Sequence, residues 1–527
     1  MSVVIRQATE QDATAWIELL SAAMGTDYAD KQVYDPAWVE AELRADSGHT
    51  TLVAIEDDRM VAALTMLHIT LPNQNPIANV GRDLFLPESF ASGAAEALLV
   101  ELNKLCENRR EIVVARVFAS DNQRMLLYEE RGFECVGFQP FKHSMRTREG
   151  ILFYMRVLRS SEFLRQPLSE SLPQVTELAS AILPRLGLGA PHAMRDGVTG
   201  YPLQTDAQIS EATFEEYQAR KAELDSMNPP VEVSGGFNLG AGFLRVTVPP
   251  ILTLLALHGE NVVGGIAFVF DDRDRCVRVA DAFATDDASL GPLMQHLTKV
   301  SQEKHNAIYV EVDVIVTAPR LLKSLEQLGF VPVAYLPGFF RQADGHLDVV
   351  KLVKLNLAYS LENAAFTTNA RLAADMVDRN FQDQKLGVAI LKLLRNLQFF
   401  QGLGDGELRK ISRLFAQKLF RPAECVFKKG DTGSEAYIIM RGQVDIVLEE
   451  GASPVATLGA GKVFGEQAFL DNAPRTAMAT AKDPSILLVI QRDAFSQLVN
   501  REPHLGMVVM RNIALEMSAR LRRAQHK

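Results

Sequence analysis

The sequence contains few cysteines, no long apolar run and no excess of positive charge. Its four cysteines lie far apart, with no CxxC pair and no nearby histidine at metal-ligand spacing. This pattern argues against a disulfide framework and against a metal site, and it predicts a reducing compartment. The net charge of −10 over 527 residues argues against nucleic-acid binding, because neutralising a phosphate backbone requires a basic surface.

Signals for export or membrane insertion are also lacking. The N-terminal stretch MSVVIRQATEQDATAW has no apolar segment flanked by basic residues, so no secretory signal is expected. The apolar stretch VPPILTLLALHG is interrupted by prolines and is shorter than the ~20 residues that cross a bilayer. We therefore expect a cytoplasmic protein with no membrane partner.

What the sequence does contain is typical of a folded, multidomain chain. Hydrophobic residues make up 47% and charged residues 23% of it, as in ordinary globular proteins. Strand and helix patterns alternate in the first two thirds, whereas short β segments separated by glycines dominate the last part. We predict an α/β fold followed by a C-terminal β-barrel or jelly roll with flanking helices. The predicted division is an α/β domain (1–158), a partly helical connector (159–204), a second, degenerate α/β domain (205–357), a helical linker (358–396) and the barrel domain (397–527).

The α/β part is predicted to contain one fold twice. The helix that opens at Gly93 has a counterpart at Gly291, 198 positions later. The Gly-Phe pair at Gly132, which ends the next helix, has a counterpart at Gly329, 197 positions later. A near-constant displacement between such landmarks indicates an internal duplication.

The stretch NQRMLLYEERGFECVGF, which begins at Asn122, combines a helix with a following strand. It resembles the final motif of the GNAT family of acyl-CoA-dependent N-acyltransferases, and this resemblance implies a mixed-sheet acyltransferase fold for both copies. It also implies that Asn122 holds the pantetheine arm of acetyl-CoA and that Tyr128 donates a proton to the departing thiolate. A phenol near a developing thiolate is a usable general acid. The alternative is that Tyr128 only packs against its own helix face.

The loop before the long helix reads FASGAA, and the resemblance places the acyl-CoA pyrophosphate at Gly93, Ala94 and Ala95. Small residues there permit close backbone approach to phosphates at a helix N-terminus. Phe90, however, stands where the family usually has a basic or amide side chain. The second copy departs further, because its loop TDDASLGP is acidic and Leu325 stands in place of the tyrosine. If one copy is active, we expect it to be the first.

Residues 461–481, GKVFGEQAFLDNAPRTAMATA, carry an isolated glutamate and an isolated arginine in an apolar setting. Together with the flanking short strands, this stretch resembles the phosphate-binding cassette of cyclic-nucleotide-binding domains, and the resemblance covers residues 397–525. It implies that Arg475 neutralises the cyclic phosphate and that Glu466 accepts a hydrogen bond from the ribose 2′-hydroxyl. Gln467 stands where the family usually has an aliphatic residue. The nucleotide-contacting residues implied are Phe464, Gly465, Glu466, Gln467, Ala468, Arg475, Thr476 and Ala477.

The physics of these residue types fits the implied role. Free N–H groups at the start of a short helix and a fork-like guanidinium both suit a phosphodiester. The alternatives are a barrel that has kept these residues but binds nothing, and a barrel in which Glu466 and Arg475 pair with each other. Thr476 permits a contact with guanine without excluding adenine; of the two effectors, cAMP is favoured over cGMP.

We therefore expect a cyclic-nucleotide-responsive protein in which nucleotide binding regulates an acetyl-CoA-dependent N-acyltransferase. The acyl acceptor would be an amine, either a protein lysine or a small molecule. The alternative is a non-catalytic signalling or scaffold protein with two inactive GNAT-like domains, which Phe90 and the acidic second loop favour. A transcription factor is disfavoured, because no helix-turn-helix follows the final helix. The apolar spacing in GMVVMRNIALEMSARL suits a homodimer seam or packing on the chain's own barrel.

Overall fold

The computed structural model describes most of the chain in two compact units, residues 1–380 and 381–527. The described residues are 3–25, 30–69, 77–107, 112–144, 148–158, 171–189, 198–224, 231–234, 249–342, 345–412, 414–449, 451–471 and 473–525. The predicted connector 159–204 lies partly outside these ranges. Its helix falls within them, as α6 (Pro173–Ile182).

The described residues of the first unit form two successive sets of strands and helices, and the seven strands of one set correspond in order to the seven strands of the other. The first set comprises β1 (Val4–Gln7), α1 (Ala13–Met24), α2 (Pro36–Leu43), β2 (His49–Glu56), β3 (Arg59–Ile69), β4 (Ile77–Phe85), α3 (Pro87–Ala91), α4 (Ala94–Glu107), β5 (Ile112–Phe118), α5 (Asn122–Glu130), β6 (Glu134–Ser144) and β7 (Arg148–Val157). The second set comprises β8 (Gln208–Ala212), α7 (Phe214–Leu224), β9 (Ile251–His258), β10 (Asn261–Asp271), β11 (Cys276–Ala284), α8 (Leu290–Glu303), β12 (Tyr309–Ile315), α9 (Pro319–Gln327), β13 (Val331–Gln342) and β14 (Gly345–Leu355).

All fourteen strands form one sheet, in the order β1-β2-β3-β4-β5-β7-β6-β13-β14-β12-β11-β10-β9-β8. The order is symmetric about the β6–β13 contact, since each strand of the first set has its counterpart at the same distance on the other side. In each set one pair is parallel, β4 with β5 and β11 with β12. The two sets are therefore two copies of one α/β arrangement, joined edge to edge.

Local sequence explains how the equivalent helices begin and end. The Asp121 side chain accepts a hydrogen bond from the backbone N–H of Arg124 and so caps the start of α5. Pro319 occupies the first position of α9, where its missing N–H costs nothing. Gly132 and Gly329 follow the two helices with φ values of +79° and +89°, a conformation that favours glycine.

The two copies meet where β6 and β13 pair, at Gly137 opposite Ala334. These residues are 197 positions apart, so each lies at the equivalent place in its copy. A Cβ atom on Gly137 would lie only 2.2 Å from the Cβ atom of Ala334. Glycine at position 137 therefore allows the two strand edges to approach closely enough to pair.

A buried cluster of charges also connects the copies. The Nζ atom of Lys142, on β6, contacts the carboxylate of Glu311, on β12. Arg278 and Lys351 approach the other Glu311 oxygen at 3.4 and 3.7 Å. Burial raises the pKa of the Glu311 carboxyl, but Lys142, Lys351 and Arg278 outweigh this effect and hold the pKa well below its usual range. Glu311 therefore stays ionised and neutralises positive charge from both copies.

The boundary between the two units falls inside one continuous helix, α10 (Thr368–Arg395). The second unit continues with a 3-10 helix (Gln398–Phe400) and then with the elements α11 (Asp405–Ser412), β15 (Phe415–Phe420), β16 (Cys425–Phe427), β17 (Glu435–Arg441), β18 (Val444–Val447), β19 (Ala456–Leu458), β20 (Val463–Phe464), α12 (Glu466–Asp471), β21 (Met478–Ala481), β22 (Ser485–Gln491), α13 (Arg492–Arg501) and α14 (Pro503–Gln525).

The strands of the second unit form two four-stranded sheets, β15-β22-β17-β20 and β16-β21-β18-β19. Buried side chains of both sheets form one core, which includes Tyr437, Phe464 and Ala479. The flanking helices pack on the outside through a second core, which includes Leu394, Phe469 and Leu505. The predicted combination of a mixed α/β fold with a β jelly roll and flanking helices is confirmed. Within the described residues, no helix has the length and apolar character of a membrane span.

Candidate functional site

The cassette identified in the sequence forms a turn of backbone and a short helix between β20 and β21. Gly465 follows β20 with a φ of +74°, which glycine adopts without strain. Helix α12 begins at the next residue, Glu466. The segment then leaves the helix and brings Arg475 back beside Gly465, ten positions earlier in the chain.

Arg475 is the central side chain of this site and is only 4% exposed. Its Nη1 atom donates to the carbonyl oxygen of Gly465 at 2.9 Å, and its Nη2 atom donates to the carbonyl oxygen of Glu435 at 2.9 Å. The Glu435 carboxylate lies 3.2 Å from Nη2 and forms an ion pair with it. The Nε atom is buried and has no hydrogen-bond acceptor among the described residues.

Aromatic rings form the wall behind the guanidinium. The Arg475 Cζ atom lies 4.3 Å from the ring centroid of Phe427 and 5.7 Å from that of Tyr437. Tyr437 in turn stacks on Phe464, with centroids 5.1 Å apart. Burial, with a further contribution from Glu435, raises the pKa of Tyr437, and Arg475 opposes this rise. The cation is thus held in a low-dielectric cup, where its attraction for an anion is strengthened.

Two glycines provide the room that the guanidinium occupies. A Cβ atom on Gly433 would lie 2.7 Å from Arg475 Nη2, and a Cβ atom on Gly465 would lie 2.8 Å from Nη1. Both distances are shorter than real Cβ contacts, so any larger residue would displace the charged group. The glycine turns that precede β17 and α12 therefore position Arg475.

Arg475 lines a cavity of about 580 Å³. This volume is within the ~300–1,000 Å³ typical of small-molecule sites. Three parts of the second unit contribute to the wall: the cassette, the barrel strands, and the segment that follows α10. The lining residues are Asn396, Leu397, Gln398, Phe399, Phe427, Ile446, Ala456, Leu458, Gly461, Lys462, Val463, Phe464, Gly465, Glu466, Gln467, Ala468, Asp471, Ala473, Pro474, Arg475, Thr476 and Ala477.

The structure brings all eight cassette residues identified from the sequence to this one cavity. Phe464, Ala468 and Ala477 are buried, and Glu466 is half-buried. Gln467 and Thr476 are exposed at the cavity, and the Thr476 hydroxyl donates to Gln467 Oε1 at 3.3 Å. Arg475 pairs with Glu435, so the alternative of an Arg475–Glu466 pair does not describe this arrangement.

Sequence reasoning missed Glu435 and the two rings that face the guanidinium, Phe427 and Tyr437. A usable signal was present, since Glu435 is the acidic first residue of the strand EAYIIMR, whose interior is apolar. Acidic side chains are seldom buried unless they are paired, so a glutamate in this strand indicates a positively charged partner. The lining contribution of residues 396–399 was also missed, because it depends on tertiary packing.

Comparison with known proteins identifies this region. Residues 417–502 match the family model described as "Cyclic nucleotide-binding domain". The chain is 29% identical over 138 residues to a cGMP-dependent protein kinase of Eimeria tenella, covering 26% of this chain and 13% of the kinase. It is 30% identical over 134 residues to a Cyclic AMP receptor protein of Thermus thermophilus, covering 25% of this chain and 60% of that protein.

A solved structure is also similar to part of the chain. The Catabolite Activator Protein of Thermus thermophilus aligns with a TM-score of 0.22 and 30% sequence identity, over 24% of this chain and 60% of that chain. This chain thus spans a small part of the kinase and less than two thirds of the receptor protein. The protein carries a C-terminal cyclic nucleotide-binding domain.

The two residues singled out on α5, Asn122 and Tyr128, are engaged within the chain. Tyr128 is fully buried, and its hydroxyl donates to Asp83 Oδ2 at 3.1 Å. Burial and Asp83 raise the pKa of Tyr128 well above its ordinary value, so the phenol holds its proton firmly. The Asn122 amide donates to the carbonyl oxygen of Ala365 at 2.8 Å.

The start of α4, where the sequence predicts the acyl-CoA pyrophosphate, is less closely packed than the surroundings of Tyr128. Gly93 has a φ of +82°, and no described atom lies within 4 Å of the position of its Cβ. The next two residues, Ala94 and Ala95, are fully buried beneath it. Phe90 packs edge-on against Phe85, with ring centroids 5.6 Å apart.

The second copy differs at the equivalent place, because its own chain fills the space. A Cβ atom on Gly291 would lie 2.2 Å from the carbonyl oxygen of Pro202. Residues 232–234 pair with the end of β12, through the N–H of Ser234 to Asp313 and the N–H of Ile315 to Glu232, each at 2.9 Å. The acidic residue Asp287 is bound by Arg320 at 2.7 Å.

Proposed function

We propose that this protein is a cyclic-nucleotide-responsive regulator, in which cAMP or cGMP binds the cavity of the C-terminal domain and controls the α/β unit. The observation that carries the proposal is the state of Arg475. It is a cation at a cavity wall, held by the carbonyl oxygens of Gly465 and Glu435 and shared with a single carboxylate. A charge in a low-dielectric site attracts an opposite charge more strongly than one in water does. A phosphate oxygen in the cavity would accept from the guanidinium.

The charge of the ligand follows from the surroundings of the arginine. Glu435 already shares the guanidinium, so the cup suits an anion of a single negative charge. A ring-closed phosphodiester carries one charge, whereas a linear 5′-monophosphate carries nearly two at neutral pH. The aromatic and aliphatic wall would cover the sugar and the base, and Glu466 would accept from the ribose hydroxyl.

The experiment that tests the proposal is a calorimetric titration of the full chain with four ligands: cAMP, cGMP, 5′-AMP and 5′-GMP. We expect at least one cyclic nucleotide to bind with micromolar or tighter affinity. The matching linear nucleotide should bind at least about tenfold more weakly. The absence of binding by both cyclic nucleotides would refute the proposal. The comparison of cAMP with cGMP also shows whether the site prefers adenine or guanine. We expect the tighter ligand to be cAMP.

The α/β unit is the target of this control, and a second candidate function concerns its chemistry. We propose acetyl-CoA-dependent N-acyl transfer by the first copy, to an amine of a protein or a small molecule. Its support is the open start of α4 at Gly93, in contrast to the blocked Gly291. Pairing between β4 and β5 covers only Ile77–Val80, although β4 extends to Phe85, so the two strands diverge toward that helix.

The burial of Tyr128 weighs against this second function, because a thiolate would need to reach a hydroxyl already bonded to Asp83. Acetyl-CoA titration of wild-type protein and of the Gly93→Glu variant tests it. Binding that is lost in the variant supports acyl transfer, and no binding to the wild-type protein favours a non-catalytic scaffold regulated by nucleotide. Gly189→Glu is the matched control, since Gly189 is exposed and no described atom lies within 4 Å of the position of its Cβ.

A further inference from the structure

The segment between β14 and α10, residues 359–367, lies across the first α/β copy; we call it the strap. Ala365 anchors it to the first copy, because the Ala365 backbone makes two hydrogen bonds of 2.8 Å. The Ala365 N–H donates to the carbonyl oxygen of Ala119, and the Ala365 carbonyl accepts from the Asn122 amide. One of these bonds joins two backbone groups, and the other joins the Ala365 backbone to a side chain 243 positions earlier in the chain.

The contact at Ala365 lies at the carboxyl end of a parallel strand, where ligands of α/β proteins bind. Ala119 directly follows the carboxyl end of β5, which is half of the parallel pair in the first copy, and Asn122 opens α5. In α/β sheets, ligands bind outside the carboxyl ends of parallel strands. The strap therefore occupies the end of the first copy at which a ligand is expected.

A second anchor connects the strap to α10. The Thr367 hydroxyl accepts from the Ala370 N–H and so caps the start of α10. The same hydroxyl donates to Glu129 Oε1, on α5, at 2.5 Å. The Phe366 ring packs edge-on against Phe138, with centroids 5.3 Å apart. Any displacement of the first turn of α10 must therefore strain or break the contacts of the strap with α5.

Helix α10 runs without interruption from this anchor into the second unit. There its last turn contributes Leu394 to the helical core. The next residue after the helix, Asn396, lines the nucleotide cavity. One continuous helix thus begins directly after the strap and ends one residue before a cavity-lining residue.

We infer that the strap is an autoinhibitory segment, which holds the ligand end of the first copy closed until cyclic-nucleotide binding releases it through α10. This inference rests on the proposed function for the nucleotide cavity. It requires that nucleotide binds more tightly to the form with the strap released, because a ligand shifts an equilibrium only by its difference in affinity. The inference does not depend on the chemistry of the first copy.

Hydrogen exchange measured by mass spectrometry on the full chain tests it. With saturating cAMP or cGMP, we expect amides of residues 361–367 to exchange on the order of fivefold faster or more, as typical coupling between sites allows. Calorimetry on the same sample reports binding separately. Binding without faster exchange overturns the strap inference alone, whereas absence of binding overturns both the proposed function and the release of the strap.

Two variants test the closed state without nucleotide. Asn122→Asp replaces the amide donor by an acceptor that faces the Ala365 carbonyl, and Thr367→Val removes the shared hydroxyl with little change of shape. Both should accelerate exchange in residues 361–367 of the unliganded protein. Gln123→Ala, an exposed neighbour on α5, is the matched control and should leave exchange unchanged. Wild-type exchange rates in both variants would overturn the inference.

Discussion

Helix α8 of the second α/β copy and the cassette of the nucleotide-binding domain both depend on glycine for space, but different atoms use that space. Beside Gly291 the position of a Cβ is taken by the carbonyl oxygen of Pro202, 2.2 Å away. Beside Gly433 and Gly465 the same kind of room holds the guanidinium of Arg475, at the wall of a 580 Å³ cavity. In one region the chain fills its own cleft, and in the other it presents a charge to a cavity.

The comparison shows that the space beside a glycine can serve either stability or ligand binding. A cleft filled by backbone contributes to stability and has no room for a ligand. A buried cation with an unsatisfied donor costs stability, and such costs are typical of binding sites. We therefore expect substitutions in the α/β junction to change the free energy of unfolding, and substitutions around Arg475 to change nucleotide affinity.

The largest expected effect concerns the buried charges of the α/β unit. Glu311→Gln removes the carboxylate that neutralises Lys142, and it also leaves Arg278 without that partner. Because the cations remain buried, the free energy of unfolding of this unit should fall by about 3–5 kcal/mol. Denaturant unfolding of the full chain measures it, with Glu303→Gln as an exposed control. Equal loss in both variants would contradict a role for the buried cluster.

The second-largest effect concerns the affinity of the C-terminal domain for cyclic nucleotide. Gly433→Ala places a Cβ 2.7 Å from Arg475 Nη2 and should displace the guanidinium. Loss of one charged hydrogen bond is worth ~2 kcal/mol, so cyclic-nucleotide affinity should fall about 30-fold. Calorimetric titration measures it. Gly459→Ala is the matched control, because no described atom lies within 4 Å of the position of its Cβ; an equal loss there would argue against the steric explanation.

A smaller effect is expected where the two copies meet. Gly137→Ala would bring two Cβ atoms to 2.2 Å and force β6 away from Ala334 of β13. Overpacking of this kind costs about 1–3 kcal/mol. The thermal unfolding midpoint of the α/β unit should fall, while nucleotide affinity stays the same. A fall in affinity of the same size would show that the junction and the cavity are not separable.

The smallest effect is a dependence of stability on pH in the first copy. Burial raises the pKa of Glu42, but His49 and Arg82 outweigh it, so the pKa lies at about 2 instead of the ordinary 4.5. A depressed pKa means that the ionised carboxylate stabilises the fold above pH 4.5 and that this contribution disappears as the pH falls toward 2. Glu42→Gln should therefore flatten the acid limb of a stability curve, and Glu40→Gln, which is exposed on the same helix, should not.

The sequence allowed prediction of features that short-range patterns encode. The cassette could be found because Gly465 and Arg475 lie ten positions apart in a recognisable stretch, and the structure places both at one cavity. The repeat could be found from the constant spacing of glycines such as Gly132 and Gly329, which end equivalent helices.

Features that depend on distant contacts could not be predicted. Glu435 pairs with Arg475 across 40 positions, and although the strand pattern marks Glu435 as unusual, it does not specify which cation Glu435 contacts. The β6–β13 contact joins two strand edges, and hydrophobic periodicity does not determine which edges meet. The filling of the second cleft by Pro202 and the bond between Asn122 and Ala365 involve irregular segments, for which periodicity carries no information.

The most direct test of the account is the affinity of the Arg475→Ala variant for cAMP and cGMP, compared with wild type and with Arg441→Ala. Arg441 is exposed at the end of β17 and is not among the residues that line the cavity, so it controls for loss of charge. We predict that the Arg475 variant loses about 100-fold or more in affinity for the nucleotide that wild type binds, because a buried, charge-assisted contact is removed, and that Arg441→Ala binds as wild type does. Equal affinity of the Arg475 variant and wild type would contradict the assignment of this cavity as a cyclic-nucleotide site.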